Sequence, residues 1–162
     1  MAAEQKQVRV GIVGLVRWAK VLTKASKQST KIDIVSGYSR SEEKRSAFET
    51  EMGVRPVGSL EEMLADPTIS GVIITVPNEQ HRAIAEKVAA AKKHVYTEKP
   101  IAHNLEDGLE IAALEQKYGV TVTVGHSARL MAGIRMIKQR IDAGELGTVA
   151  FIEANFSNER AL

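Results

Sequence analysis

Polar residues at the far ends of two apolar runs carry the strongest chemical signal in this chain. VIITVPNEQHRAIAEKVAAAKKHVYTEKP, residues 72–100, reads as a strand, a polar loop, an apolar-striped helix and a second strand ending in Glu98-Lys99-Pro100. Asn78 and His81 follow the first of these strands, in Thr75-Val76-Pro77-Asn78-Glu79-Gln80-His81. In an open α/β sheet, ligands bind beyond the carboxyl ends of the strands, so both polar clusters are expected to face one cleft. A lysine there would be partly desolvated, which tunes its ammonium for hydrogen bonding or proton transfer. The competing reading of Glu98-Lys99 is a strand-ending turn held by its own ion pair.

A second group of residues has the spacing of a phosphate-binding turn. The fingerprint G-x-G-x-x-G uses its first glycine for the turn, its second for close approach of the backbone to a pyrophosphate, and its third for helix packing. The frame Gly14-Leu15-Val16-Arg17-Trp18-Ala19 keeps the first glycine, tolerates alanine at the third, and places Val16 where the phosphates would come close. An ordinary tight turn between strand and helix would have the same appearance. At the end of the next strand, Gly37-Tyr38-Ser39-Arg40-Ser41 offers no acid until Glu42. An acid at that position accepts hydrogen bonds from the adenine ribose of NAD, whereas arginine accommodates the 2′-phosphate of NADP. Arg40 can bind phosphate bidentately, Ser39 adds a hydroxyl, and Lys44 and Arg45 add charge. NADP is therefore the expected cofactor, with NAD second, unless Arg40 is a chance cation on a solvated helix start.

These groups need a scaffold, and the apolar pattern supplies one. Residues 8–13 form a β-branched run before Gly14, and 17–26 read as a helix. A strand at 32–36 precedes a helix to about Met52, with Ser39 and Glu42 at capping-box spacing. Ser59-Leu60-Glu61-Glu62 repeats that spacing before a short helix stopped by Asp66-Pro67. Residues 72–76, 94–97 and 120–124 read as buried strands, separated by a helix with Ile84 and Val88 on one face and by a helix over 105–118. Alternating strands and helices predict an α/β fold, a doubly wound parallel sheet, over residues 1–125. In 126–162, Leu130, Ile134, Ile137 and Ile141 make a helical stripe stopped near Gly144, and 148–156 alternate as an antiparallel strand would.

Composition narrows the function classes. Across 162 residues, 22 basic and 20 acidic side chains give a net charge of +2 without blocks, which offers no case for nucleic-acid or membrane binding. The chain has no cysteine, so disulfides, thiolate metal sites and a cysteine nucleophile are excluded. The histidines His81, His94, His103 and His126 lack metal-ligand spacing, so no metal site is expected. The polar start MAAEQKQ and the absence of a long apolar run predict a soluble, cytoplasmic protein.

RVGIVGLVRWAK, the Ser39-Arg40 turn, the Thr75-to-His81 loop and Glu98-Lys99-Pro100 together resemble the glucose–fructose oxidoreductase and inositol dehydrogenase superfamily. The resemblance implies a Rossmann domain binding NAD(P) and hydride transfer to or from a sugar or polyol hydroxyl. It implies that Gly11 and Gly14 belong to the family's glycine start, and that Val16, Arg17 and Trp18 lie at the cofactor turn. Thr75, Pro77, Asn78 and His81 would sit against the cofactor. By the same resemblance Lys99 is the catalytic residue beside the nicotinamide, Glu98 lines the cofactor site, and His126 lies at its nicotinamide end, with Arg129 nearby. The superfamily continues into a second α/β domain with an open antiparallel sheet, of which residues 126–162 would be the truncated start. That division leaves two readings: part of an oxidoreductase, inactive by itself, or a truncated non-catalytic module acting through protein contacts. An unpaired strand at 148–156 would favour a homo-oligomer.

Overall fold

The computed structural model describes residues 7–155, which divide into two units at Gly125 and His126. In the first unit the strands are β1 (Val8–Val13), β2 (Ile32–Tyr38), β3 (Arg55–Pro56), β4 (Gly71–Ile74), β5 (His94–Thr97) and β6 (Val122–Val124). All pair in parallel, in the order β3-β2-β1-β4-β5-β6. The helices between them are α1 (Arg17–Ser26), α2 (Glu42–Met52), α3 (Leu60–Ala65), α4 (His81–Ala90) and α5 (Leu105–Tyr118). The fold is a Rossmann-like α/β sheet whose strand order reverses between β1 and β4, and that switch point is where such sheets bind ligands.

Period-two alternation along the central strands divides the interior into two cores. Ile12, Ile34 and Ile73 point to one face, where Ala19 of α1 and Phe48 and Met52 of α2 cover them. Val13, Val72, Ile74 and Val95 point to the other, under Leu60 and Met63 of α3, Val88 of α4 and Ile111 and Leu114 of α5. On the α1 face, Val10, Ile73 and Tyr96 line an open apolar groove of about 400 Å³ that extends to Thr121 and Thr123.

Local signals set the helix boundaries, with one shift from expectation. Ser59 Oγ accepts from the Glu62 N–H at 3.0 Å, and Asn104 Oδ1 accepts from the Asp107 N–H at 2.8 Å, so both start their helices as N-caps. At α2 the cap is Ser41, whose Oγ accepts from the Lys44 N–H, and not the expected Ser39. Ser39 lies two residues further out, in the loop leaving β2, and is free to serve the cleft. The two-residue strand β3 contains Pro56 at the sheet edge, where proline is tolerated.

The second unit contains a 3₁₀ turn over Ser127–Leu130 and then α6 (Ala132–Asp142). Its apolar positions Leu130, Ile134 and Ile137 are exposed. Gly144 has φ of +73° just beyond the helix, as the expected stop. Residues 148–155 form no strand, which corrects the expectation for 148–156; Phe156 lies outside the described residues. An isolated strand leaves both rows of backbone groups unpaired, so alternation without a partner does not produce one. The homo-oligomer expected through that strand therefore has no preformed edge among the described residues. No helix among the described residues is long and apolar enough to cross a membrane.

Candidate nucleotide-binding site

The β1-to-α1 turn is built around Gly14. Its φ of +93° is a conformation that L side chains rarely adopt, and a Cβ there would lie 2.8 Å from the Thr75 carbonyl carbon and the Val76 nitrogen. Two hydrogen bonds fix the turn: the Gly14 N–H donates to Tyr38 O at 2.9 Å, and the Val16 N–H donates to Gly14 O at 2.8 Å. Thr75 adds a third, its Oγ1 donating to Gly14 O at 2.6 Å and also reaching Val13 O at 3.0 Å. Thr75 is buried, so it braces the turn from behind and leaves the cleft to others. Val16 occupies the N-cap position of α1 without a capping side chain. The amides of Arg17, Trp18 and Ala19 therefore open a helix whose first donors lack intrahelical partners, the arrangement that receives a phosphate.

Beside this turn lies a cavity of about 380 Å³. It is lined by Gly14, Leu15 and Val16 of the turn, by Ser39, Arg40 and Lys44 after β2, by the apolar side chains Leu60, Val76 and Ile84, and by Pro77. Among the sequence candidates, Gly14, Val16, Ser39, Arg40 and Pro77 thus come together. The cavity has the make-up of a nucleoside site, with apolar lining residues, cations and a helix start around one space. Leu15, Leu60, Ile84, Glu61 and Lys87 were not singled out from sequence. The first three look like core residues, and only the strand order shows that they surround a cleft.

Charge at the rim is uneven. Lys87 donates to Glu61 at 3.0 Å, and this hydrogen bond holds the Glu61 carboxyl below the usual carboxylate range. Arg40 and Lys44 are exposed and have no ion pair or side-chain hydrogen bond among the described residues. The cleft therefore presents two uncompensated cations at the end of β2.

Other expected site residues have different roles. Gly11 lies inside β1, where a Cβ would collide with Met63 Sδ, so its smallness serves packing of α3 and not contact with a nucleotide. His81 is fully buried: Nε2 lies 3.0 Å from Val76 O, and Nδ1 lies 3.1 Å from Pro100 O and 3.2 Å from Ile101 O. With both ring nitrogens against carbonyls and no exposed surface, it ties the loop after β4 to the loop after β5. It does not face a cofactor directly. Asn78 is half-buried in the 3₁₀ turn Asn78–Gln80. Trp18 and Arg17 lie on the exposed first turn of α1.

At the end of β5, Glu98 is buried while Lys99 is exposed. The expected partial desolvation of Lys99 is therefore not provided by this unit. Its backbone N–H donates to Glu98 Oε2 at 3.3 Å, and its ammonium has no partner among the described residues. Glu98 has a second partner that the sequence did not reveal: the Tyr96 hydroxyl donates to Oε1 at 3.2 Å. Burial, then the adjacent carboxylate, pushes the Tyr96 phenol up to about 12, so it remains a donor at any physiological pH. Residues two apart share a face of a strand, which is the signal that could have paired Tyr96 with Glu98. His126 is exposed at the start of the second unit. No cluster of potential metal ligands occurs among the described residues.

Known proteins share this arrangement. The family model for the Gfo/Idh/MocA proteins, described as an oxidoreductase family with an NAD-binding Rossmann fold, matches residues 8–126. A 1,5-anhydro-D-fructose reductase from Ensifer adhaerens is 33% identical over 140 residues, which is 86% of this chain and 42% of that protein. A solved structure of a putative NADPH-dependent oxidoreductase from Desulfitobacterium hafniense superimposes with a TM-score of 0.84 at 38% identity, covering 88% of this chain and 41% of the other. The WlbA dehydrogenase from Bordetella pertussis, solved in complex with NADH and UDP-GlcNAcA, has a TM-score of 0.82 at 31% identity, with the same 88% and 41% coverage. The chain thus spans about two fifths of the length of these proteins. With a parallel sheet, a glycine turn at the switch point and a family match across the whole first unit, this chain belongs to the Gfo/Idh/MocA oxidoreductase family.

Proposed function

We propose that this chain is the nucleotide-binding part of an NADP-preferring oxidoreductase whose substrate is a sugar or polyol hydroxyl. The observation that carries the cofactor choice is the pair of cations without partners among the described residues, Arg40 and Lys44, which line the cavity together with Ser39. A carboxylate at that point would repel a 2′-phosphate, and the nearest acids in sequence, Glu42 and Glu43, do not line the cavity. The chain's residues fit a dinucleotide: the Gly14 cradle admits no Cβ, the start of α1 is uncapped, and Leu60, Val76 and Ile84 give the cavity an apolar lining. When bound, the nicotinamide would supply the redox chemistry, accepting or giving hydride.

The protein's own groups would bind, orient and move protons around that centre. The amides of Arg17 and Trp18 would receive the pyrophosphate, and Ser39 with Arg40 would hold the ribose phosphate. Glu98, kept in place by Tyr96 and the Lys99 N–H, accepts hydrogen bonds near the nicotinamide end. Lys99, reached by resemblance to the family, hydrogen-bonds the reacting hydroxyl and exchanges a proton at Nζ.

The testing experiment is a fluorescence titration with NADPH and NADH. A charge-assisted contact worth about 1.5–3 kcal/mol predicts about tenfold to a hundredfold tighter NADPH binding, lost in Arg40→Ala. Equal affinities in the unmodified chain would refute the preference.

A further inference from the structure

Three cations occur within six residues between the end of β2 and the first turns of α2, and they are not equivalent. Arg40 and Lys44 are exposed, line the cavity and have no side-chain partner among the described residues. Arg45 is half-buried, absent from the cavity wall, and turned back on the loop it follows. Its Nη1 donates to Ser39 O at 2.6 Å and, over a longer 3.4 Å, to Arg40 O. These two carbonyls belong to residues outside the helix cap at Ser41, so neither has a helical partner. The loop has little else to fix it, because the cap bond from the Lys44 N–H and the bond from the Arg45 N–H both begin at Ser41.

We propose that Arg45 is a positioning residue: it holds the Ser39–Arg40 peptide so that Arg40 and Lys44 present a two-point cationic site for the phosphomonoester on the nucleotide ribose. The phosphate half of this proposal rests on the cofactor reading above. The physical basis is pre-organisation. An arginine on an unbraced loop must lose backbone freedom when it grips phosphate, and fixing the peptide beforehand removes that cost from binding. A planar guanidinium with several donors suits two adjacent carbonyls, whereas a lysine ammonium is a flexible point charge. Arg45 therefore contributes to selectivity without touching the ligand. Lys44, which lines the cavity with Arg40, is the second direct contact.

Titrations of NADPH and NADH with Arg45→Ala, Arg45→Lys and Lys44→Ala, each at several salt concentrations, separate these roles. Arg45→Ala should weaken NADPH about tenfold and change NADH by no more than about twofold, with the salt dependence of NADPH binding unaltered. Arg45→Lys should recover part of the loss. Lys44→Ala should weaken NADPH and flatten its salt dependence, because one ion contact to the phosphate is gone. An Arg45→Ala variant with equally flattened salt dependence would make Arg45 a direct ligand and overturn the proposal, as would equal losses for both nucleotides or an unchanged NADPH preference. Backbone ¹⁵N relaxation of the nucleotide-free protein gives an independent readout. Amides of residues 39–41 should become more mobile in Arg45→Ala and not in Lys44→Ala, and unchanged mobility would refute the bracing. If the unmodified chain binds both nucleotides equally, the cofactor reading and the phosphate half of this proposal fall together, and the relaxation data still decide whether Arg45 fixes the loop.

Discussion

Replacing Tyr96 with phenylalanine tests how the buried Glu98 is held. The phenol is moved from 10.0 to about 12 by burial and by the Glu98 carboxylate. Below pH 10 the tyrosine is neutral in both folded and unfolded chains, and its contribution to stability is fully present. Between pH 10 and about 12 the unfolded chain ionises while the folded chain keeps its proton, so stability falls as pH rises through this window. Two pH units at about 1.4 kcal/mol each set a ceiling of about 2.8 kcal/mol, and solvent screening of a half-buried ring reduces this to roughly 1 kcal/mol. Other groups titrate in the same range, so the quantity to follow is the difference between the unmodified chain and Tyr96→Phe in urea unfolding from pH 8 to 12. At pH 8 the variant should be less stable by about 1 kcal/mol, the net worth of one hydrogen bond, and the gap should close above pH 10. Absorbance titration should show one late tyrosine near 12 that Tyr96→Phe removes. Parallel stability curves across the whole range, or no late tyrosine, would refute the Tyr96–Glu98 account.

Three further substitutions probe the cleft. Gly14→Ala should cost at least about 2 kcal/mol and abolish nucleotide binding, because backbone strain adds to overlap with Thr75 and Val76; thermal unfolding and titration check both effects. Val16 is 43% exposed on the cavity wall; if it crowds the approach to the start of α1, Val16→Gly should tighten NADPH by more than the few tenths of a kcal/mol that changed chain flexibility explains. A weaker-binding glycine variant would show that the valine is already clear of the phosphates. His81→Leu should destabilise the fold by about 2–4 kcal/mol in chemical denaturation, since it removes a buried ring packed between carbonyls of two loops and leaves a buried carbonyl without its donor.

The elements were legible because local and tertiary signals agree along most of the chain. β-branched runs at 8–13 and 94–97 become strands with those limits, and the stretch from Asn104 to Gly119 carries both of its helix stops in sequence. Where the reading went astray, a partner in three dimensions made the difference. The alternation in 148–155 needs a neighbouring strand that the described residues do not supply, and Ser39 yielded its capping role to Ser41. The site was legible only as a set of positions. Gly14, Ser39 and Arg40 fall on the cavity as their spacing implies, whereas Gly11, Thr75 and His81 turn inward to Met63, the Gly14 carbonyl and the Pro100 loop. Spacing locates a residue at a strand end, but it does not say which way the side chain points. Only packing decides that.

The division of the interior into two cores has a consequence for how ligand and chain stability are joined. The layer of α1 and α2 is thin: α1 buries only Ala19, Thr23 and Ser26, and α2 only Phe48 and Met52. The opposite layer is anchored by more apolar residues, drawn from three helices and including Met63, Val88, Ile111 and Leu114. Local opening runs from weakly buttressed parts to strongly buttressed ones, so α1 and α2 form the outer, first-melting shell of the domain. Both loops proposed to grip phosphate, the glycine turn and the Ser39–Arg40 turn, lead directly into those two helices. A dinucleotide bridging them acts as a clasp across the weaker shell, and its binding energy appears as slowed exchange of amides that never touch it. In this domain, nucleotide occupancy would set how long the first-melting half of the fold stays closed.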